Sequence, residues 1–345
     1  MEDAPITSTP PPVPEQTGLK LRLRISIWLG IAAASILGAL IYREPWLARP
    51  IGEGPAGPNL IAQPFEKTWS ERHVVLLGLG DSITDGYGAS PGHSYFQRLS
   101  TSLKDDPERL RNCQLKSVLP NLEARNDSLS GTTSIELLEY SLPRQEVQPP
   151  DVYGIVVITT GGNDVIHHYG RTPPREGAMY GATFDEAQPW IANFEVRLGE
   201  IIARVEALFP GGCTIFLANI YDPTDDIGDA ENAGLPKWPD GKRILNAYND
   251  VIARVATTSS HVELIDIHAE FLGHGIHCRQ FWTQHYHSED PNYWYFDNLE
   301  DPNDRGYDAI RRLFLNRMGE VLPERFARMS ESVATDSVQE IGEVQ

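Results

Sequence analysis

The chain has 345 residues, enough for one large domain or two ordinary ones, and its 41% hydrophobic content excludes a disordered chain. A formal net charge of −19 disfavours nucleic acid and anionic headgroups as partners, since attraction to phosphate supplies most of such binding. Cys113, Cys213 and Cys278 are far apart and form no Cys-x-x-Cys pair, which argues against a structural zinc site or a disulfide-dense scaffold and leaves room for one bridge.

Residues 1–24 read as a polar tail, closed by Lys20, Arg22 and Arg24. The uncharged run 25–42 follows. As a helix it is about 27 Å long, close to the roughly 30 Å hydrocarbon core of a bilayer. Trp28 and Tyr42 lie towards its ends, where aromatic rings favour the headgroup region. The run is expected to be a transmembrane signal-anchor, with the basic residues holding the amino terminus in the cytoplasm and the main domain outside. The alternative is a cleaved secretory signal that releases the domain, although no small-x-small cleavage site follows the run. Residues 43–72, with Pro45, Pro50, Pro55, Pro58 and Pro64, read as a Pro-rich stalk.

From residue 73 to 322, short apolar runs alternate with segments of helical character. The runs cover 74–79, 120–125, 153–159, 213–220 and 262–266, and their lack of strict alternation fits strands covered on both faces. Helices are expected near 93–104, 132–142, 185–208 and 241–257. A last helix starts near Asp304, with Ala309, Ile310, Leu313, Phe314 and Leu315 on one face. The alternation predicts a three-layer α/β/α domain on a mostly parallel five-stranded sheet, followed by a flexible tail over 323–345.

Ligands collect at the carboxyl ends of such strands. Gly80-Asp81-Ser82 stands after the first, Asn126-Asp127-Ser128-Leu129-Ser130-Gly131 after the second and Gly161-Gly162-Asn163 after the third. A serine on a glycine-lined turn after a buried strand can project its hydroxyl into the crevice.

In the order, spacing and placement of these blocks, residues 73–322 resemble the SGNH hydrolases, the GDSL esterase/lipase superfamily. The resemblance implies a flavodoxin-like sheet ordered 2-1-3-4-5. It also implies ester hydrolysis without a cofactor or metal, with Ser82 as nucleophile and the Ser82 and Gly131 N–H groups and the Asn163 amide as oxyanion donors. The family's fourth block, Asp-x-x-His-Pro-Asn, is not matched by Phe296-Asp297-Asn298-Leu299-Glu300-Asp301-Pro302-Asn303. Anchoring on Pro302-Asn303 puts Asp301 where the histidine belongs and Asn298 where its partner belongs; anchoring on Asp297 puts Glu300 there. The candidates for the base are therefore His285, His287, Glu300 and Asp301, with His167 and His168 just past the third block.

Two functions remain open at this level. One is a membrane-anchored hydrolase, held by residues 25–42, that cleaves an O-acyl carbohydrate or lipid ester through a Ser82 acyl-enzyme. The other is an SGNH-fold binding or scaffolding protein that keeps the crevice without the reaction. The acidic stretch Asp222 to Glu231 lacks EF-hand spacing and reads as a solvated loop, so no metal is expected.

Overall fold

The computed structural model describes residues 16–104 and 106–342. The chain divides into two compact units, Met1–Ala48 and Arg49–Gln345. In the first, α1 (Gln16–Leu47) extends beyond the expected 25–42 at both ends. Its stretch Arg22–Leu47 is long and apolar enough to cross a membrane. The first fifteen residues of the expected polar tail lie outside the described residues.

The second unit is built on strands β1 (Val74–Gly80), β2 (Leu122–Asn126), β3 (Tyr153–Thr159), β4 (Cys213–Ala218) and β5 (Val262–Ile265). All neighbours pair in parallel, in the order β2-β1-β3-β4-β5 that the sequence predicts. Successive side chains of a strand point to opposite faces. Val74 and Leu76 accordingly enter one core, with Tyr95, Phe271, Trp294 and Phe314, while Val75, Leu77 and Leu79 enter the other, with Phe194, Leu198, Trp238 and Tyr248. Cys113 and Cys278 lie in the first core and Cys213 in the second, and all three are buried thiols.

The helices that frame the site are α2 (Ser82–Asp85), α3 (Tyr95–Ser100), α4 (Gly162–Ile166), α5 (Phe184–Leu208), α6 (Gly241–Ala256) and α7 (Asp304–Gly342). The helix expected over 132–142 is instead a chain of short turns that opens with the Thr133–Glu136 capping box and ends beyond Pro143 at Arg144.

Two expectations at the domain edges are corrected. The Pro-rich segment does not stand off as a stalk over its whole length: from Arg49 it belongs to the second unit. Ala56 and Phe65 are buried there, and Ala56 N–H and Ile61 N–H donate to Asp308 and Asn316 of α7, at 3.2 and 2.9 Å. Proline set the local conformation without preventing these apolar contacts. The last helix also continues through the expected tail to Gly342, with Phe326 packed in the core; residues 343–345 lie outside the described residues.

α7 is tied to α3 by buried charges. Arg98 contacts Asp106 and Asp308 at 2.7 and 2.9 Å, and Arg311 contacts Asp106 at 3.1 Å. Removing one member of such a cluster strands the others. Arg311→Leu is therefore expected to cost on the order of 3 kcal/mol in urea unfolding of the full chain in detergent.

Candidate active site

The turn after β1 is forced by its neighbours. Gly80 has φ +117°, and a Cβ there would lie 1.8 Å from the Thr159 carbonyl oxygen. Its neighbour Asp81 caps α2, its carboxylate accepting from Ile83 N–H at 3.2 Å and from the Thr159 hydroxyl at 2.6 Å. Ser82 is thereby fixed at the first position of α2, at the carboxyl end of β1.

The loop after β2 is stitched to this turn. Leu129 N–H donates to Gly80 O at 3.0 Å, Asn126 Nδ2 to Thr84 O at 2.8 Å, and the Ser130 hydroxyl to Asp85 at 2.5 Å. Gly131 follows with φ +83° and no atom within 4 Å of where its Cβ would be. The backbone there faces open space. After β3, Gly161 at φ +98° starts α4, on which Asn163 donates from Nδ2 to Thr132 O at 3.0 Å. Asp164, fully buried, takes Ser134 N–H at 2.8 Å and the Ser134 hydroxyl at 2.5 Å, with Arg197 against it at 3.4 Å. The second and third loops are thus locked together, and Ser82, Gly131 and Asn163 are presented on one end of the sheet.

The fourth block lies in the segment before α7. Asn303 accepts from Arg305 N–H and Gly306 N–H at 3.0 and 3.1 Å and donates to Tyr293 O at 2.8 Å, which fixes Pro302-Asn303 at the start of the last helix. Asp301 just before it is 2% exposed. Asn298 Nδ2 donates to Asp301 Oδ2 at 2.6 Å, so an amide orients the carboxylate. Oδ1 is buried and has no hydrogen-bond partner among the described residues. Burial pushes the Asp301 carboxyl above its usual range, while hydrogen bonding from Ser82 and Asn298 pulls it back.

Two more carboxyls share this low-dielectric corner. Burial pushes Asp81 up to about 7 against the hydrogen bonds from Thr159 and Ile83. Glu300 is raised to about 7 by burial and then by the charge of Asp301.

A cavity of about 130 Å³ opens beside Ser82. Ser82, Asn163 and Glu300 line it, together with Val165, Ile166, Ile220, Leu235 and Leu245. The aromatic set Tyr169, Tyr180 and Trp238 also belongs to its wall. These rings are held in place: Trp238 Nε1 donates to Ala182 O at 2.7 Å, the Tyr180 hydroxyl to Pro236 O at 2.6 Å, and the two rings pack with centroids 4.6 Å apart. His168 and Tyr169 adopt φ values of +64° and +46°, a backbone strain that sits beside the cavity.

No histidine lines this cavity among the described residues. His285 Nε2 lies 3.9 Å from Asp226, and the His287 ring packs on His274, which stacks on Trp294. His167 packs against His168. Among the four base candidates, Glu300 lines the cavity beside Ser82, and Asp301, next to it in the chain, is buried. The apolar wall itself was not legible beforehand, because Ala230, Ala233 and Leu235 stand in or beside the stretch read as a solvated acidic loop. No group of acidic, histidine and cysteine side chains among the described residues is arranged to hold a metal ion.

The family model for GDSL-like lipases and acylhydrolases matches residues 79–309. The uncharacterized protein YpmR of Bacillus subtilis (strain 168) is 28% identical over 161 residues, 47% of this chain and 56% of that relative. The match therefore spans only a little over half the length of the curated relative. Among solved structures, the extracellular lipase of Streptomyces rimosus superposes with TM-score 0.47 at 16% identity, covering 71% of this chain and 99% of that one. An acetyl xylan esterase variant from Geobacillus stearothermophilus gives TM-score 0.45 at 20% identity, covering 73% and 97%.

Proposed function

Because the chain belongs to the GDSL-like lipase/acylhydrolase family, we propose that it is a serine hydrolase that cleaves an O-acyl carbohydrate or lipid ester through a Ser82 acyl-enzyme. The observation that carries this reading is Ser82 at the carboxyl end of β1, lining an apolar cavity together with Asn163 and Glu300, with the buried Asp301 next to Glu300 in the chain. In the reaction, Asp301 takes the Ser82 proton as Oγ attacks the acyl carbon. The charge that develops on the carbonyl oxygen is met by the Ser82 and Gly131 N–H groups and the free N–H of Asn163 Nδ2. Collapse expels the alkoxide, which leaves with the proton held by Asp301. Water, deprotonated by Asp301 in turn, then releases the acid.

Removing one oxyanion donor typically lowers turnover by about 10²–10³. The Ser82 and Gly131 amides suit that task, since neither donates to a backbone acceptor among the described residues. α1 is assigned the role of a membrane anchor. Lys20, Arg22 and Arg24 before its apolar stretch favour a cytoplasmic amino terminus and an extracytoplasmic domain.

The test is labelling of the full chain in detergent with a fluorophosphonate. The expected result is one adduct on Ser82 by mass spectrometry, absent from Ser82→Ala, with matching loss of p-nitrophenyl butyrate hydrolysis. A folded protein that forms no adduct overturns the reading. A second reading, a crevice that binds acylated ligands without turning them over, draws on the carboxylate standing where the family has imidazole. Equal hydrolysis by wild type and Ser82→Ala would favour it.

A further inference from the structure

The cavity beside Ser82 differs from a general crevice in being small, apolar and rigidly walled, and these properties bear on which acyl group is transferred. An apolar cavity of about 150 Å³ admits a ligand the size of benzene and stays dry without one. The roughly 130 Å³ found here therefore holds on the order of five or six carbons. An acetyl group places one methyl in it and leaves most of the wall unfilled, whereas a long acyl chain exceeds it.

The wall cannot easily give way. Trp238 and Tyr180 are each fixed by a hydrogen bond to a main-chain carbonyl, and a Cβ at Gly241 would lie 2.7 Å from the Trp238 ring. The one cation in the lining, Lys242, is paired with Asp226 at 2.8 Å, so no free positive charge there waits for a carboxylate or phosphate.

We infer that this cavity is the acyl-chain pocket and that it selects a straight, uncharged acyl group of about four to seven carbons, in preference to acetyl and to long fatty acyl. The inference rests on the reading of Ser82 as nucleophile and narrows that reading: the acyl group is short to medium-chain, whichever alcohol carries it.

Two measurements on the full chain in detergent test it. In a series of p-nitrophenyl esters, kcat/KM is expected to rise about fourfold per methylene, reaching about 10²-fold from acetate to hexanoate, and to fall again at dodecanoate. Ala233→Phe, which fills the cavity, should lower the hexanoate-to-acetate ratio at least tenfold, and Leu245→Ala, which enlarges it, should move the optimum to longer chains. The second measurement needs no turnover: calorimetry with hexanamide and acetamide should find hexanamide bound at least tenfold more tightly, with the gap narrowed in Ala233→Phe. Acetate preferred over hexanoate, or equal affinity for the two amides, overturns the pocket. Absence of a fluorophosphonate adduct together with selective hexanamide binding supports the pocket and overturns the hydrolase reading alone.

Discussion

Asp301→Asn is expected to lower kcat/KM for a p-nitrophenyl ester by about 10³ or more, the loss seen when a triad base is removed and only oxyanion binding remains. The asparagine keeps the shape and the partner at Asn298 but has no lone pair basic enough to take the Ser82 proton. As the proposed base, Asp301 works as the ionised carboxylate. Activity should therefore rise with pH through the Asp301 pKa, which burial places above the ordinary aspartate value, and be lost as pH falls through it. Asp301→His should move that limb towards the imidazole range near 6.5, and Asn298→Asp combined with Asp301→His should raise the rate further by restoring the ionic partner that orients the ring. If Glu300 were the base instead, Asp301→Asn would leave most of the rate and Glu300→Gln would remove it. Steady-state rates over pH 4 to 9 separate the two.

The second large effect concerns stability. Asp81 is an acid whose folded pKa, about 7, lies well above its value of 3.8 in an unfolded chain. The folded state therefore binds the extra proton, and the stability this contributes is complete below the unfolded value and is lost as pH rises through about 7. Three units correspond to about 4 kcal/mol. Asp81→Asn keeps an oxygen for Ile83 N–H and the Thr159 hydroxyl but carries no charge to strand. Its stability relative to wild type should grow by about 4 kcal/mol between pH 4 and pH 8, read as urea unfolding of the full chain in detergent. A difference that stays constant with pH would show that the carboxyl is not the source.

Much of this architecture was legible in the sequence, and the reasons are local. Runs such as Val74–Leu79 lack polar side chains because the strand is covered on both faces, so the strands could be read directly, while their order followed from the family resemblance. The three loops of the site announced themselves because a sharp turn and a close backbone approach demand glycine at positions such as Gly80 and Gly131. The fourth block was ambiguous because its two registers differ by one residue. The cap made by Asn303 at the start of α7, a contact with main-chain groups of Tyr293, Arg305 and Gly306, could be seen only in the structure, and it favours the register of the proposed base Asp301. The Pro-rich entry and the last helix failed for the opposite reason. Proline and charge suggest solvent locally, while the burial of Ala56, Phe65 and Phe326 depends on partners far away in the chain. The raised carboxyls are likewise invisible in sequence, since burial and not residue type sets them.

The three buried cysteines carry a consequence for how the domain opens. Burial pushes the Cys213 and Cys278 thiols up to about 12, so in the closed state they are almost wholly protonated and shielded from an alkylating reagent. Because Cys213 lies on one side of the sheet and Cys278 and Cys113 on the other, each thiol becomes reactive only when its own layer lifts. The rate at which each is modified, compared with urea unfolding, would therefore tell whether the two layers separate from the sheet together or one before the other.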